Sequence, residues 1–107
     1  MIKVVARTIV REECIEAYHT LAKELVEETQ KESGNISYTL NQSLENKKLH
    51  AMIEVWESRE ALDAHMASEH FKRIVPQIWL LTRRRSIRWS FILRCKENRR
   101  YGPFGGR

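Results

Sequence analysis

Two runs, NISYTLNQS (35–43) and LHAMIEVW (49–56), constrain this chain more than any other feature. Each reads as a strand, and only the polar stretch LENKK (44–48) separates them. Runs of this kind joined by so short a turn pair as an antiparallel hairpin. In the first, Ile36, Tyr38 and Leu40 are expected on one face. A hairpin buries its apolar face only against something else, so the segments on either side decide the fold.

Upstream lies IKVVARTIV (2–10), a β-branched run that reads as a buried strand. From Glu12 to about Ser33 the period becomes helical. Cys14, Ala17, Tyr18, Leu21 and Leu25 share a face, and Glu13, Glu16, Thr20, Glu24 and Glu27 take the far side. Gly34 is placed to cap this helix. Downstream, Ser58 suits the N-cap of a short helix and Ser68 that of a second, whose Phe71, Ile74, Val75 and Ile78 form one stripe. Pro76 is expected to kink or end that helix. In residues 86–94, Ile87, Trp89, Phe91 and Leu93 alternate with Arg88, Ser90, Ile92 and Arg94, a last-strand pattern. The order β-α-β-β-α-β predicts an α+β, ferredoxin-like fold with an antiparallel sheet.

At 107 residues the chain is one domain with a modest core. Its net charge of +5 is unevenly spread. Residues 1–82 carry 10 Lys/Arg against 13 Asp/Glu, and residues 83–107 carry 9 against 1. The expected division is a mildly acidic domain over 1–82 and a basic segment over 83–107, strand-like at 86–94 and disordered at its end. Arginines interleaved with Trp89, Phe91 and Tyr101 could neutralise phosphates, yet no RNA-binding motif accompanies them, so nucleic acid is not an expected partner. If the segment does not fill the last-strand slot, it leaves a sheet edge open. The residues leave both arrangements open. There is no membrane-length apolar run and no signal-peptide pattern, so a cytoplasmic address is expected. Cys14 and Cys95 have no paired spacing that suggests a disulfide framework or a zinc site.

The stretch DAHMASEHFKR (63–73) carries the chemistry-bearing residues. Five positions on one α-helix separate His65 and His70 by about 500° of rotation, which points their rings roughly 140° apart. Metal-binding histidine pairs on helices favour spacings of three or four, and no third ligand stands at a recognisable spacing, so no metal is expected. His65 borders the buried face of its helix, either as a hydrogen-bonded core residue or as a base. His70 reads as a solvent-facing residue or a ligand contact. His19 and His50 look incidental. Trp56 closes the second hairpin strand, and packing is its ordinary role, although its indole N–H could serve a pocket.

The set GNISYTL (34–40) and IEVWESREALDAHMASEHFKRIVP (53–76), after an opening IKVVA strand, resembles the antibiotic biosynthesis monooxygenase family, in its small quinol-monooxygenase-like branch. The resemblance covers about residues 1–78. It implies homodimers of the dimeric α/β-barrel type, with a pocket between sheet and helices. It also implies a cofactor-independent monooxygenase acting on a small quinol or polyphenol with O₂, with no metal or flavin. Other members of the family degrade haem or isomerise a phosphorylated compound, and a non-catalytic ligand-binding or stress-response role is the alternative reading. The residues that match the family's site are Trp56 and His65 as catalytic groups and His70, Phe71 and Tyr38 as substrate contacts. Near the positions where haem-degrading members hold their ligands, this chain has Ala6 and Arg7, and Val75, Pro76 and Gln77. A charge balance that inverts just beyond the resemblance would also follow from a changed reading frame near Trp79 or Leu80.

Overall fold

The computed structural model describes residues 1–84 and 86–93. Four strands and three helices follow in the order β1 (Ile2–Ile9), α1 (Ile15–Thr29), β2 (Asn35–Gln42), β3 (Leu49–Trp56), α2 (Arg59–Met66), α3 (Glu69–Leu80) and β4 (Arg88–Leu93). The sheet order is β2-β3-β1-β4, with every neighbouring pair antiparallel. This is the ferredoxin-like α+β arrangement. The connection through α1 carries the chain from β1 to β2, leaving a place between them that β3 fills. The connection through α2 and α3 brings β4 to the other side of β1, and α1 and α3 pack against each other.

Register explains which side chains share a surface, because directly paired residues point to the same face. One row across the inner face runs Phe91, Val4, Glu54, Tyr38, and the next runs Trp89, Ala6, Met52, Leu40. Helices cover the middle of these rows. Val4, Tyr38, Met52 and Trp56 join Tyr18, Ala22 and Leu25 of α1, Leu62 of α2 and Ile74, Val75 and Ile78 of α3 in a single core. The outer face presents Val5, Leu49, Ala51, Ile53 and Val55, all only half-buried, while the core side chains of the described helices lie on the inner face.

Several local expectations change. A 3-10 turn, Glu12–Cys14, precedes α1, which ends at Thr29 and not near Ser33. Its buried stripe is Tyr18, Ala22, Leu25 and Thr29, so Ala17 falls on the exposed side. Gly34 therefore does not cap the helix. It is needed for close approach, since a Cβ there would lie 2.3 Å from Ala61 Cβ, and its carbonyl accepts the Glu57 N–H at 3.0 Å. A register shift between Asn35 and Ser37 turns Ile36 out to solvent, away from Tyr38. Pro76 does not end α3, which continues to Leu80. The basic segment contributes β4 to the edge of the sheet, paired with β1 from Ile2↔Leu93 to Arg7↔Arg88. Its expected disordered end, with Cys95 and Tyr101, lies outside the described residues. Among the described residues no helix is long and apolar enough to cross a membrane.

Candidate active site

Ser58 and Ser68 position the histidine segment. The Ser58 hydroxyl accepts the Ala61 N–H at 3.1 Å, starting α2. Ser68 accepts the Phe71 N–H at 3.3 Å, starting α3, and donates its own hydroxyl to the His65 carbonyl at 2.6 Å. Between the helices Ala67 and Ser68 break the rotation. A continuous helix would have splayed His65 and His70 apart, but the break lets them converge.

They converge on Glu32. The turns after α1 bring its carboxylate against both rings, with Oε2 accepting from His65 Nδ1 at 2.8 Å and from His70 Nε2 at 2.6 Å. A carboxylate oxygen only accepts, so the His65 proton sits on Nδ1 and Nε2 carries the lone pair. That Nε2 is buried with no hydrogen-bond partner. Burial holds the His65 pKa below its ordinary value, and the hydrogen bond to Glu32 opposes the shift. The expectation that His70 faces solvent is corrected: its side chain is only 14% exposed. The expectation that no third ligand lies near the pair is also corrected, because the ligand atoms of Glu32, His65 and His70 lie within 4.8 Å of one another.

Aromatic rings surround His65. Trp56 lies 4.6 Å away between ring centroids, Phe71 5.1 Å and Tyr38 5.4 Å. Tyr38 and Phe71 also face a pocket, which they line with Ala6, Met52, Glu54 and Trp89. Counting its open mouth, the pocket has about 440 Å³ of empty space, part of it open to solvent. It lies between the inner face of the sheet and helices α1 and α3. Thus Tyr38 and Phe71 form pocket wall on one side and contact His65 on the other. Trp56 is wholly buried, and its indole N–H is engaged in a 2.9 Å bond to Glu54 Oε1.

Glu54 was not among the residues singled out from the sequence. It is buried on the inner face, and its carboxyl is pushed up to about 7. Burial is the main cause, the Trp56 N–H opposes it, and the charge of Glu32 adds to it. A signal was present: alternation along β3 puts Glu54 inward between Met52 and Trp56. Glu32 left no such trace, since it lies in a turn 33 positions from His65. His50 and His19 are not incidental either. They meet at 2.9 Å through their Nε2 atoms beside Tyr18, and His50 is buried, which lowers its pKa.

The chain is thus a small α+β domain with a pocket between sheet and helices, a carboxylate–histidine pair behind the pocket's aromatic wall and a buried carboxyl in its lining. Comparison with known proteins gives the family. The sequence profile of the antibiotic biosynthesis monooxygenases matches residues 1–77, and the chain belongs to that family. The crystal structure of an antibiotic biosynthesis monooxygenase is 34% identical, with 89% of this chain and 99% of that one covered at a TM-score of 0.84. A conserved protein from Methanosarcina mazei Go1 is 35% identical over 88% of this chain and 92% of its own, also at 0.84. Rv0793 from Mycobacterium tuberculosis is 27% identical over 90% and 96%, at 0.82. No curated protein matches the chain.

Proposed function

We propose that this protein is a cofactor-independent monooxygenase that converts a small quinol or polyphenol and O₂ to the hydroxylated quinone and water. The observation that carries the reading is the orphaned Nε2 of His65, a buried acceptor whose ring touches two pocket-lining aromatics. Removing a phenolic proton makes the substrate electron-rich enough to reduce O₂ itself. One atom of O₂ then enters the ring and the other leaves as water, and all four electrons come from the quinol. The protein supplies a base, a dry pocket and fixed orientation.

His65 takes the proton at Nε2, while Glu32, at Nδ1, stabilises the imidazolium that forms. For direct transfer, the substrate hydroxyl must pass between Tyr38 and Phe71. His70 shares Glu32 and assists the return of the proton. Tyr38 and Phe71 are the apolar contacts for the substrate ring. Trp56 holds the Glu54 carboxyl at the pocket lining, and its N–H reaches a substrate oxygen only by leaving that bond.

The working unit is a homodimer in this reading. Outward-facing Val5, Leu49, Ala51, Ile53 and Val55 make the outer face of the sheet apolar at its centre, and a second copy packed on it would cover them. The small quinol and O₂ are the other partners, and the cytoplasm is the proposed compartment.

The test is oxygen uptake by chelator-treated protein with a panel of quinols and polyphenols, with ¹⁸O₂ used to label the product. Saturable uptake with one labelled atom per product supports the reading. Tight binding of aromatics by the folded protein with no uptake would replace it with a ligand-binding role.

A further inference from the structure

We propose that Glu32, His65 and His70 form a binding site for one divalent transition ion, of the class typified by Zn²⁺ and Co²⁺. Two imidazole nitrogens and one carboxylate oxygen are the donor set that such ions favour, and three protein donors leave a fourth position for water. The donors come from separate elements: the turn after α1, the last turn of α2 and the first turn of α3. Their ligand atoms already lie within 4.8 Å of one another.

The geometry needs only a small adjustment. The separations of 2.8 and 2.6 Å to Glu32 Oε2 are those of hydrogen bonds. An ion bound at 2.0–2.2 Å would spread its ligand atoms to roughly 3.3 Å. Glu32 supplies that movement by side-chain rotation, because it sits in a turn and not within a helix. His65 is the fixed member, clamped by Trp56, Tyr38 and Phe71. The ion takes the place of the two protons now donated to Oε2, and each neutral ring keeps its proton by carrying it on the other ring nitrogen. Glu28, within electrostatic reach of His70, adds negative potential on that side.

Occupancy has a consequence for the reaction, which rests on the reading of His65 as base. A metal on Nδ1 takes that nitrogen's lone pair, so the ring proton must move to Nε2. The nitrogen proposed to accept the substrate proton then carries one of its own. Metal binding and base function exclude each other, and the ion acts as an inhibitor.

The experiment titrates Co²⁺ into the full-length, chelator-stripped protein and follows its ligand-field absorption, with Zn²⁺ retention after gel filtration as the second measure. One ion per chain is expected, with affinity weakened at least tenfold in Glu32→Gln and in His70→Ala. His19→Ala removes the other histidine pair and leaves the affinity unchanged. No stoichiometric binding by protein with an unaltered circular dichroism spectrum overturns the site. So does binding that both ligand substitutions leave intact. If a bound ion leaves oxygen uptake untouched, the site stands and the assignment of His65 as base fails.

Discussion

Glu32 accepts a 2.8 Å hydrogen bond from Nδ1 of His65, 33 positions away in sequence, and thereby fixes which His65 nitrogen carries the lone pair. Glu32→Gln keeps the size of the group and removes its charge. Without that charge the imidazolium form is less stable, so the acid limb of the pH–rate profile moves to lower pH. The rate at its plateau falls about tenfold or more, the scale on which orienting carboxylates act in general-base catalysis. A pH–rate profile of oxygen uptake for both proteins checks this.

Glu54 links the pocket to stability. Its folded-state pKa is raised from 4.5 to about 7 by burial. The folded protein therefore holds the proton more tightly than the unfolded chain. The benefit is full below about 4.5 and is lost as pH rises towards about 7. The loss is on the order of 3 kcal/mol. Glu54→Gln keeps a neutral group opposite the Trp56 N–H. It should lose that part of the pH dependence and be more stable than the parent at pH 8. Urea unfolding at pH 5 and pH 8 measures the difference. Buried His65 and His50 push the other way, since their lowered pKa values cost stability below about 6.5, so the comparison is with the parent at each pH.

Gly34 should not tolerate a side chain. An added Cβ 2.3 Å from Ala61 Cβ forces α2 away from the β2 start. Gly34→Ala should cost about 1–3 kcal/mol, the usual range for overpacking. Ala61→Gly costs about 1 kcal/mol alone as a helix substitution, yet restores part of the loss when combined with Gly34→Ala. Thermal or urea unfolding of the four proteins gives the coupling.

The proposed dimer makes a prediction at the centre of the outer face. Ile53 is half-buried there and flanked by Ala51 and Val55 on its own strand. Ile53→Lys points a charge away from the core and should leave the fold intact while converting dimer to monomer. Light scattering after gel filtration reads the mass directly. A parent protein that is monomeric at tens of micromolar would remove the dimer from the account.

The architecture was readable because the hydrophobic period changes cleanly along the chain and serines mark both later helix starts. Local geometry was less readable. The bulge at Ile36 and the contact that requires Gly34 depend on partners distant in sequence. In the site, His65, Phe71, Tyr38 and Trp56 were visible as residues and through the family resemblance, but their partners were not. A turn glutamate such as Glu32 looks like any solvated charge until the fold brings it beneath two histidines. Glu54 was different: β3 carries Glu54 inward while Ile53 and Val55 point outward, and that inversion already indicated a strand with demands on both faces.

The central claim is that His65 acts as the base behind the pocket wall, and the most direct measurement is oxygen uptake by His65→Ala beside the parent on the fastest quinol of the panel. The account predicts a rate lower by about 10²–10⁴-fold, the range a positioned general base contributes, in a protein that still folds. Uptake by folded His65→Ala at the parent's rate would contradict it.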